Sequence, residues 1–404
     1  MMKAKGLAAG YGRNVVVDNI ELQLLPGEFN VVIGPNASGK STFLKTLAAV
    51  IKPLAGTVYL SGEEIFGMNS RLRARHVAAV FTGRPETGLN TVEEVVALGR
   101  YPWTGPVHFL AQRDKEAVEE ALKKTGILHL RGRKAAELSD GQFQRMMIAR
   151  ALAQKPEILI LDEPTTHLDA KSRIEIILLL RKVAHAEKIS VIASTHEIEL
   201  ALRFADKIIL VEAGRVSVFD DVDELVQDPR FQKAFGLNSE LHLSPTTFSI
   251  ELRANSDEDG KHVFVIAGGG TGSKVYRALS KAGIRVSTGV LHQNDIDHHV
   301  AVSMGLETIA EKPFTKISDT SYQEALRKML QSDAVVYTSP PIGEANLRNI
   351  ELLQKAVENK LPSYTFAAEA GFIEGVETVS SVNQLVAKIL RTNDKMSIRE
   401  TCLR

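Results

Sequence analysis

One glycine-rich stretch constrains the fold of this chain more than any other feature of its sequence. Residues 34–41 are GPNASGKS, between the apolar run Phe29–Ile33 and a helical pattern that starts at Lys40. Glycines let the backbone curve around phosphate groups, so that several N–H groups and a helix N-terminus point at one negative charge. A strand, this loop and a helix in that order predict a nucleotide site in an α/β fold.

Each residue of the loop has an expected role. Lys40 is expected to reach the terminal phosphates of ATP, and the Ser41 hydroxyl to ligate Mg²⁺. Ala37 stands where a glycine is common, but it still offers its N–H group to a phosphate. The residues expected to bind the nucleotide are Gly34, Pro35, Asn36, Ala37, Ser38, Gly39, Lys40, Ser41 and Thr42.

A second apolar run ends in two carboxylates. Ile158–Leu161 is followed directly by Asp162 and Glu163. Asp162 is predicted to hold Mg²⁺ through water, and Glu163 to orient or deprotonate the water molecule that attacks ATP. An acidic pair at a strand end is common by itself, but beside the phosphate loop it indicates hydrolysis of a nucleotide.

A helix start in ELSDGQFQRMMIARALAQ carries a second anion-binding pattern. Ser139 and Gly141 stand at the N-terminus of this helix, where the free N–H groups attract a phosphate. Here the sequence resembles the ATP-binding cassette family, whose signature is LSGGQ, with Asp140 in place of one glycine. The resemblance implies that Ser139, Gly141 and Gln142 bind ATP.

The resemblance extends in family order over residues 1–235. Tyr11 lies where an aromatic residue stacks on adenine, and Asp169 belongs to HLD, which matches the D-loop. His196, in STHE, matches the switch histidine near the γ-phosphate and is therefore expected to be catalytic together with Glu163.

The glutamine of the family's Q-loop has no counterpart in VAAVFTGRPETGLNTVEEVVALGRYPW. Alignment by eye places Thr82 at that position. A hydroxyl can hydrogen-bond to water on Mg²⁺, although it is shorter than a glutamine amide. The expected metal residues are therefore Ser41, Asp162 and Thr82.

The segment ALGRYPWTG, from Ala97 to Gly105, resembles ATPases of iron-siderophore, haem and cobalamin importers. In the family it faces the permease. The resemblance implies integral-membrane permease subunits, an external substrate-binding protein acting through them, and a peripheral position at the cytoplasmic face of the membrane. The same segment is explained equally well by a helix that ends at Pro102, with Trp103 packed locally.

The motif count implies a homodimer. Members of the family clamp ATP between the P-loop of one cassette and the signature of another, and this sequence has one of each. The 49 basic and 49 acidic residues leave no net charge, which argues against a nucleic-acid partner. Cys402 is the single cysteine, as is typical of a reducing cytosol, and no apolar run reaches the about 18 residues of a membrane span.

Strand-like and helix-like segments alternate twice along the chain, which predicts two doubly wound α/β domains. The first, residues 1–235, is the cassette with a helical subdomain, and the second, residues 262–404, is smaller and Rossmann-like. Residues 236–261 end in the acidic run NSDEDG and predict a linker. The strands expected in the cassette are Phe29–Ile33, Thr57–Leu60, Val77–Phe81, Ile158–Leu161, Ile189–Ala193 and Lys207–Val211.

The second domain has its own glycine loop, GGGTGS, from Gly268 to Ser273. Ser273 occupies the position of the last glycine in G-x-G-x-x-G, and Asp295 lies near where a ribose-binding acid belongs. Phosphate binding and a simple tight turn both fit this pattern. HQNDIDHH, from His292, fits either a metal site or a solvated polar loop.

Two other functions fit the whole chain. One is a soluble cassette ATPase that acts outside transport, and the other is an ATPase fused to a ligand-sensing or enzymatic domain.

Overall fold

The chain folds into two units, Met1–Gly236 and Leu237–Arg404. The computed structural model describes residues 1–104, 109–237, 241–244, 248, 250–252, 260–366 and 374–391. None of the helices in these ranges has the length and apolar character that a membrane crossing requires.

The first unit is a large sheet with helices packed against it. Its described residues form ten strands: β1 (Met2–Tyr11), β2 (Asn14–Leu24), β3 (Phe29–Ile33), β4 (Ala55–Leu60), β5 (Glu63–Glu64), β6 (Val77–Val80), β7 (Ile158–Leu161), β8 (Ser190–Ser194), β9 (Lys207–Glu212) and β10 (Arg215–Phe219). The α-helices are α1 (Lys40–Leu47), α2 (Ser70–His76), α3 (Val92–Ala97), α4 (Tyr101–Thr104), α5 (Gln112–Lys124), α6 (Asp140–Ala153), α7 (Ala170–Glu187), α8 (Ile198–Phe204), α9 (Val222–Gln227) and α10 (Pro229–Ala234). The strand order is β5-β4-β1-β2-β10-β9-β3-β8-β7-β6.

One half of this sheet is parallel. Parallel pairs join β9 to β3, β3 to β8, β8 to β7 and β7 to β6. β3, β7 and β8 are buried along their whole length, as expected for strands with helices on both faces. All five were predicted from their apolar runs, and the structure confirms the α/β cassette fold.

The other half, which the sequence analysis mostly missed, is largely antiparallel, with one parallel bridge between β10 and β2. β1 pairs with β2 and with β4, and its register shifts several times along both pairs. β2 exposes many of its residues, so neither strand forms a continuous apolar run. That is why hydrophobic periodicity gives a weaker signal here than for the buried parallel strands.

The parallel strands place the functional residues along one edge. The phosphate loop follows β3, Asp162 follows β7, and Thr195 follows β8. Since parallel strands end at the same edge of a sheet, these three positions lie side by side. Helices α3, α5 and α6 pack against one another. A buried ion pair, with Arg100 Nη2 2.8 Å from Asp114 Oδ1, lies within this helical group.

The stretch predicted as a linker contains regular structure. Strands β11 (Leu241–Leu243) and β12 (Ile250–Leu252) form a two-stranded antiparallel sheet. Their sequences, LHL and IEL, alternate apolar and polar residues, which is the two-residue period of a strand. The charged part of the acidic run, residues 256–259, lies outside the described residues.

The second unit has a six-stranded parallel sheet. The strands are β13 (His262–Ile266), β14 (Arg285–His292), β15 (Glu307–Glu311), β16 (Ala334–Tyr337), β17 (Ser363–Thr365) and β18 (Val376–Thr378). The helices are α11 (Ser273–Lys281), α12 (Ile296–Ser303), α13 (Asp319–Leu330), α14 (Arg348–Glu358) and α15 (Val382–Arg391). The order β15-β14-β13-β16-β17-β18 is that of a dinucleotide-binding domain, so the predicted smaller doubly wound domain is confirmed.

Strand β13 shows why this sheet is covered on both faces. Val263 and Val265 belong to one core cluster, which includes side chains of α11, α12 and α15. Phe264 and Ile266 belong to another, with side chains of α13 and α14. Successive side chains of a strand point to opposite faces, so a run of buried apolar residues requires helices on both.

Candidate functional site

The loop at residues 34–41 bends tightly before α1. Gly34 and Gly39 have φ angles of 154° and 105°, and a Cβ at Gly34 would lie 2.1 Å from the carbonyl oxygen of Val211. Ala37 has a φ of 59°, in the left-handed region that costs an L-residue roughly 1–2 kcal/mol. Ala37, which replaces a common glycine, therefore keeps its N–H group in the loop, but its backbone conformation costs free energy.

Lys40 lies inside the loop. Its side chain is buried, and Nζ donates to the carbonyl oxygens of Gly34 at 2.9 Å and Pro35 at 2.8 Å. Burial lowers the pKa of Lys40, while the charges of Glu163 and Asp162 act in the opposite direction. The ammonium group is thus held by the loop's own carbonyls, close to two carboxylates.

A cavity of about 200 Å³, the loop cavity, brings most of the predicted residues together. Its lining comprises Val16, Asn36, Ala37, Ser38, Gly39, Lys40, Ser41, Thr42, Glu163 and His196. Tyr11 lies at the end of β1, is 53% exposed and is not part of this lining. The structure therefore joins the phosphate loop to both expected catalytic residues, but it does not place the expected adenine-stacking residue with them.

Ser194 forms hydrogen bonds with both acidic residues that follow β7. Its hydroxyl donates to Oδ1 of Asp162 at 2.8 Å and accepts from the backbone N–H of Glu163 at 2.8 Å. Asp162 is only 2% exposed, and its Oδ2 atom has no hydrogen-bond partner among the described residues. The sequence analysis missed Ser194, although its place at the end of β8, just before THE, is a signal that could have identified it.

Glu163 has a constrained conformation. Its φ is 50°, its Oε1 atom lies 2.6 Å from Nε2 of His196, and its Oε2 accepts from the Thr166 hydroxyl at 3.1 Å. Non-glycine residues in the left-handed region are concentrated at functional sites, where surrounding contacts hold them. Glu163 is therefore oriented by contacts at both carboxylate oxygens and at its backbone.

Glu163 also borders a second cavity of about 290 Å³, the signature-side cavity. This one is lined by Phe81, Thr82, Gly83, Arg84, Asp140, Phe143, Gln144, Asp162, Glu163, Thr166, His167 and Leu168. Thr82 therefore lies on the same cavity as the proposed metal residue Asp162. Arg84, which the sequence analysis did not consider, lies there too.

The signature residues form the start of α6. Ser139 is the N-cap, with its Oγ accepting from the N–H of Gln142 at 3.4 Å, and Gln142 Oε1 accepting from the N–H of Ser139 at 3.2 Å. A Cβ at Gly141 would meet the Ser172 hydroxyl at 3.2 Å. Asp169 caps α7 by accepting from the N–H of Ser172 at 2.8 Å, and hydrogen bonds from Ser172 lower its pKa.

These signature and D-loop residues line neither cavity. Ser139, Gly141, Gln142 and Asp169 are all absent from both linings. In this chain they stand at the starts of helices α6 and α7.

The second glycine loop binds carboxylates of its own domain. Asp295 accepts from the N–H of Gly269 at 2.9 Å. Asp297, which is fully buried, accepts from the N–H groups of Gly272 at 3.0 Å and Ser273 at 3.1 Å. The donors that a pyrophosphate would use already have charged partners. Asp295 thus caps the glycine loop, which is not the ribose contact that its spacing suggested.

The structure does not support a metal site in HQNDIDHH. No group of three or more His, Cys, Asp or Glu side chains in the described ranges is arranged to hold an ion. His292 Nε2 lies 2.8 Å from the carbonyl oxygen of Thr315, and Asp295 is the N-cap of α12. These polar residues satisfy the backbone of their own domain.

The GRYPW segment is partly packed and partly exposed. Trp103 donates from Nε1 to the carbonyl oxygen of Gln154 at 3.0 Å, and the guanidinium groups of Arg75 and Arg100 lie 4.7 and 5.0 Å from its ring centroid. Tyr101 is 58% exposed. Trp103 therefore belongs to the local packing that the proline-ended helix suggested, whereas Tyr101 faces solvent.

Known proteins match both units of the chain. A family model described as "ABC transporter" matches residues 17–166, and one described as "MJ0874 family" matches residues 286–397. An uncharacterized ABC transporter ATP-binding protein of Methanocaldococcus jannaschii is 41% identical over 281 residues, 70% of this chain and 96% of that protein. The cobalamin import ATP-binding protein of Halobacterium salinarum is 30% identical over 379 residues, 93% of each chain.

A solved structure agrees with the fold. A metal-chelate type ABC transporter in an inward-facing conformation matches with a TM-score of 0.52 and 22% identity, covering 58% of this chain and 88% of that one. The likeness to the relative from Halobacterium, at 30% identity, extends over nearly the whole of this chain. The chain belongs to the ATP-binding subunits of ABC transporters and is an ATPase of that family.

Proposed function

We propose that this chain is the ATP-hydrolysing subunit of an ABC importer for a metal chelate: cobalamin, haem or a ferric siderophore. The observation that carries the proposal is the likeness to the cobalamin import protein of Halobacterium salinarum, which covers 93% of both chains and so includes the second unit. The ALGRYPWTG segment supports the same importer class through its resemblance. Cobalamin is the cargo to test first.

ATP is the substrate of the loop cavity in this proposal. The N–H groups of residues 36–42 and the Lys40 ammonium hold its phosphates, since a helix N-terminus and a cation both favour negative charge. Tyr11 is exposed and offers its ring to the adenine. Ser139, Gly141, Gln142 and Asp169 contact the ATP bound by a second copy of the chain.

The residues at the strand edge fit a magnesium ion. Asp162 has a buried carboxylate oxygen without a partner among the described residues, and the Ser41 hydroxyl lines the loop cavity. Such hard oxygen donors suit Mg²⁺. Ser41 and Asp162 would hold the ion and Thr82 would bind its water, and the ion would supply positive charge against the phosphates.

Glu163 and His196 carry the catalytic roles. Glu163 takes the proton of the attacking water, because its carboxylate borders the loop cavity and is held by the contacts of Thr166 and His196. His196 lies on the same cavity and contacts the γ-phosphate.

The subunit works as a homodimer on permease subunits at the cytoplasmic face of the membrane, with an external binding protein delivering the cargo. The exposed Leu98 and Tyr101, 49% and 58% accessible, are the apolar side chains that the permease would cover. Trp103, in the same segment, packs against Arg75 and Arg100.

Vesicle uptake tests the proposal. The chain is reconstituted in vesicles with a permease of the metal-chelate importer class, and ATP-dependent uptake of cobalamin, haem and a ferric siderophore is measured separately. We expect uptake of one of the three, and its loss with Glu163→Gln. ATP hydrolysis that neither responds to a permease nor supports uptake would instead identify a soluble cassette ATPase.

A further inference from the structure

Arg84 and Asp140 contact each other. Asp140 replaces a glycine of the signature, and Arg84 lies outside the cassette motifs. Nη1 of Arg84 donates to Oδ1 of Asp140 at 2.9 Å, and Nη2 donates to the carbonyl oxygen of Leu138 at 3.1 Å. The guanidinium carbon lies 4.6 Å from the ring centroid of Phe143. Arg84 thus binds the signature segment by an ion pair, a hydrogen bond and a stacking contact.

Asp140 is the acid that replaces a glycine in the signature, and it begins helix α6. A carboxylate at a helix N-terminus is favourable for the helix, but it repels any phosphate that the same N-terminus is to bind. An unpaired Asp140 would therefore place a negative charge at the helix N-terminus that the proposed function assigns to the ATP of a second copy.

The pair is not explained by its contribution to folding. The side chains of Arg84 and Asp140 are 48% and 59% exposed, and exposed ion pairs typically stabilise a fold by less than about 1 kcal/mol. Arg84 lies two residues after Thr82, on the segment that leaves β6 at the carboxyl edge of the sheet. The contacts of Arg84 with Leu138 and Asp140 therefore link the carboxyl edge of the sheet to the start of α6.

Resting on the proposed function, we propose that Arg84 is a positioning residue that makes the acidic signature of this chain competent to bind ATP. It cancels the charge of Asp140, and its bond to Leu138 holds the segment that leads into α6. Arg84 and Asp140 act as one unit, so the arginine is required only because the aspartate is present.

A double-mutant cycle on the full-length protein tests this dependence. KM and kcat for ATP are measured for the unaltered chain, Arg84→Ala, Asp140→Gly and Arg84→Ala/Asp140→Gly, at low and high salt. Arg84→Ala is expected to raise KM roughly tenfold, which corresponds to about 1.4 kcal/mol, and the increase should shrink at high salt because charges are screened. In the Asp140→Gly background, Arg84→Ala should change KM less than twofold.

A matched control separates charge compensation from general loosening of the helical group. Arg131 forms an ion pair with Glu93 of similar exposure, 51% and 42%, and lines neither cavity. Arg131→Ala is expected to leave KM unchanged.

Two outcomes would overturn the proposal. If Arg84→Ala still raises KM when it is combined with Asp140→Gly, the contacts with Leu138 and Phe143 matter more than the charge of the aspartate. If Arg84→Ala has no effect in the unaltered chain, the ion pair does not support ATP binding. Absence of ATP turnover in the unaltered chain would instead overturn the proposed function.

Discussion

The Nε2 atom of His196 lies 2.6 Å from the Oε1 atom of Glu163. Both side chains border the loop cavity, so the histidine can orient the carboxylate and face a terminal phosphate from the same position. We expect His196→Ala to lower kcat for ATP hydrolysis by about a hundredfold, within the range for a positioned acid–base group, with little change in ATP affinity. Steady-state hydrolysis and equilibrium binding of ATP measure the two quantities. Equal losses in both would contradict this role.

Glu163→Gln should separate binding from chemistry. The amide keeps the size of the side chain but cannot take a proton from water, so ATP binding should persist while turnover stops. A long-lived ATP-bound dimer should then appear in size-exclusion chromatography with ATP and Mg²⁺. Thr166→Val, which removes the hydroxyl bonded to Oε2, is the matched variant and should slow turnover without stopping it. Near-normal hydrolysis by Glu163→Gln would show that another group activates the water.

Asp297 should be a structural anchor of the second glycine loop. It is fully buried and accepts from two backbone N–H groups, and leaving such donors unsatisfied costs about 1–3 kcal/mol. Asp297→Ala should therefore lower the free energy of unfolding of the second unit by an amount of that order, measured by urea denaturation. Asp297→Asn, which keeps an acceptor oxygen, should lose less.

The same geometry predicts how the loop responds to dinucleotides. Since the loop's donors are bonded to Asp295 and Asp297, the full-length protein should not bind NAD⁺ in isothermal titration calorimetry. Lys40→Ala, which weakens the first nucleotide site, is the background for this measurement. Binding of NAD⁺ in that background would mean that the carboxylates yield to a pyrophosphate.

Glu311 should make the second unit sensitive to acid. Hydrogen bonds from Ser318, followed by the N–H of Lys312, lower the pKa of Glu311 from 4.5 to about 2. A carboxyl group with a lowered folded-state pKa stabilises the fold above the unfolded value, and that contribution is lost as the pH falls from 4.5 towards 2. Glu311→Gln should therefore be less stable than the unaltered chain at about pH 6, with the difference shrinking towards about pH 3. Glu344→Gln, at a 92% exposed side chain, should show no such trend.

The sequence predicts the buried parts of the fold better than the exposed ones. β3, β7 and β8 are continuous apolar runs because helices cover both of their faces. β1 and β2 pair antiparallel with shifted register, and β2 exposes many of its residues, so their pattern is weak. The short strands β11 and β12 alternate apolar and polar residues as a strand should, but they lie in a polar stretch that also fits a linker.

The site follows a similar division. Motif residues such as Lys40 and Glu163 can be named from the sequence because their chemistry fixes both residue type and spacing. Arg84 cannot, since its role depends on which segments lie side by side in the fold, and the only sequence signal for Ser194 is its place at the end of β8, just before THE. The carboxylates on the second glycine loop come from 24 to 26 residues further along the chain, and spacing alone suggested a ribose contact for one of them.

Glu163 is shared by the loop cavity and the signature-side cavity. A small molecule that fills the second cavity would therefore touch the carboxylate that we propose activates water, without competing for the phosphate loop. Its inhibition would not be relieved by excess ATP. Because that cavity is also bordered by Asp140, which departs from the family's usual signature, and by its partner Arg84, such a molecule would discriminate this ATPase from cassettes whose ATP-binding loops are nearly identical.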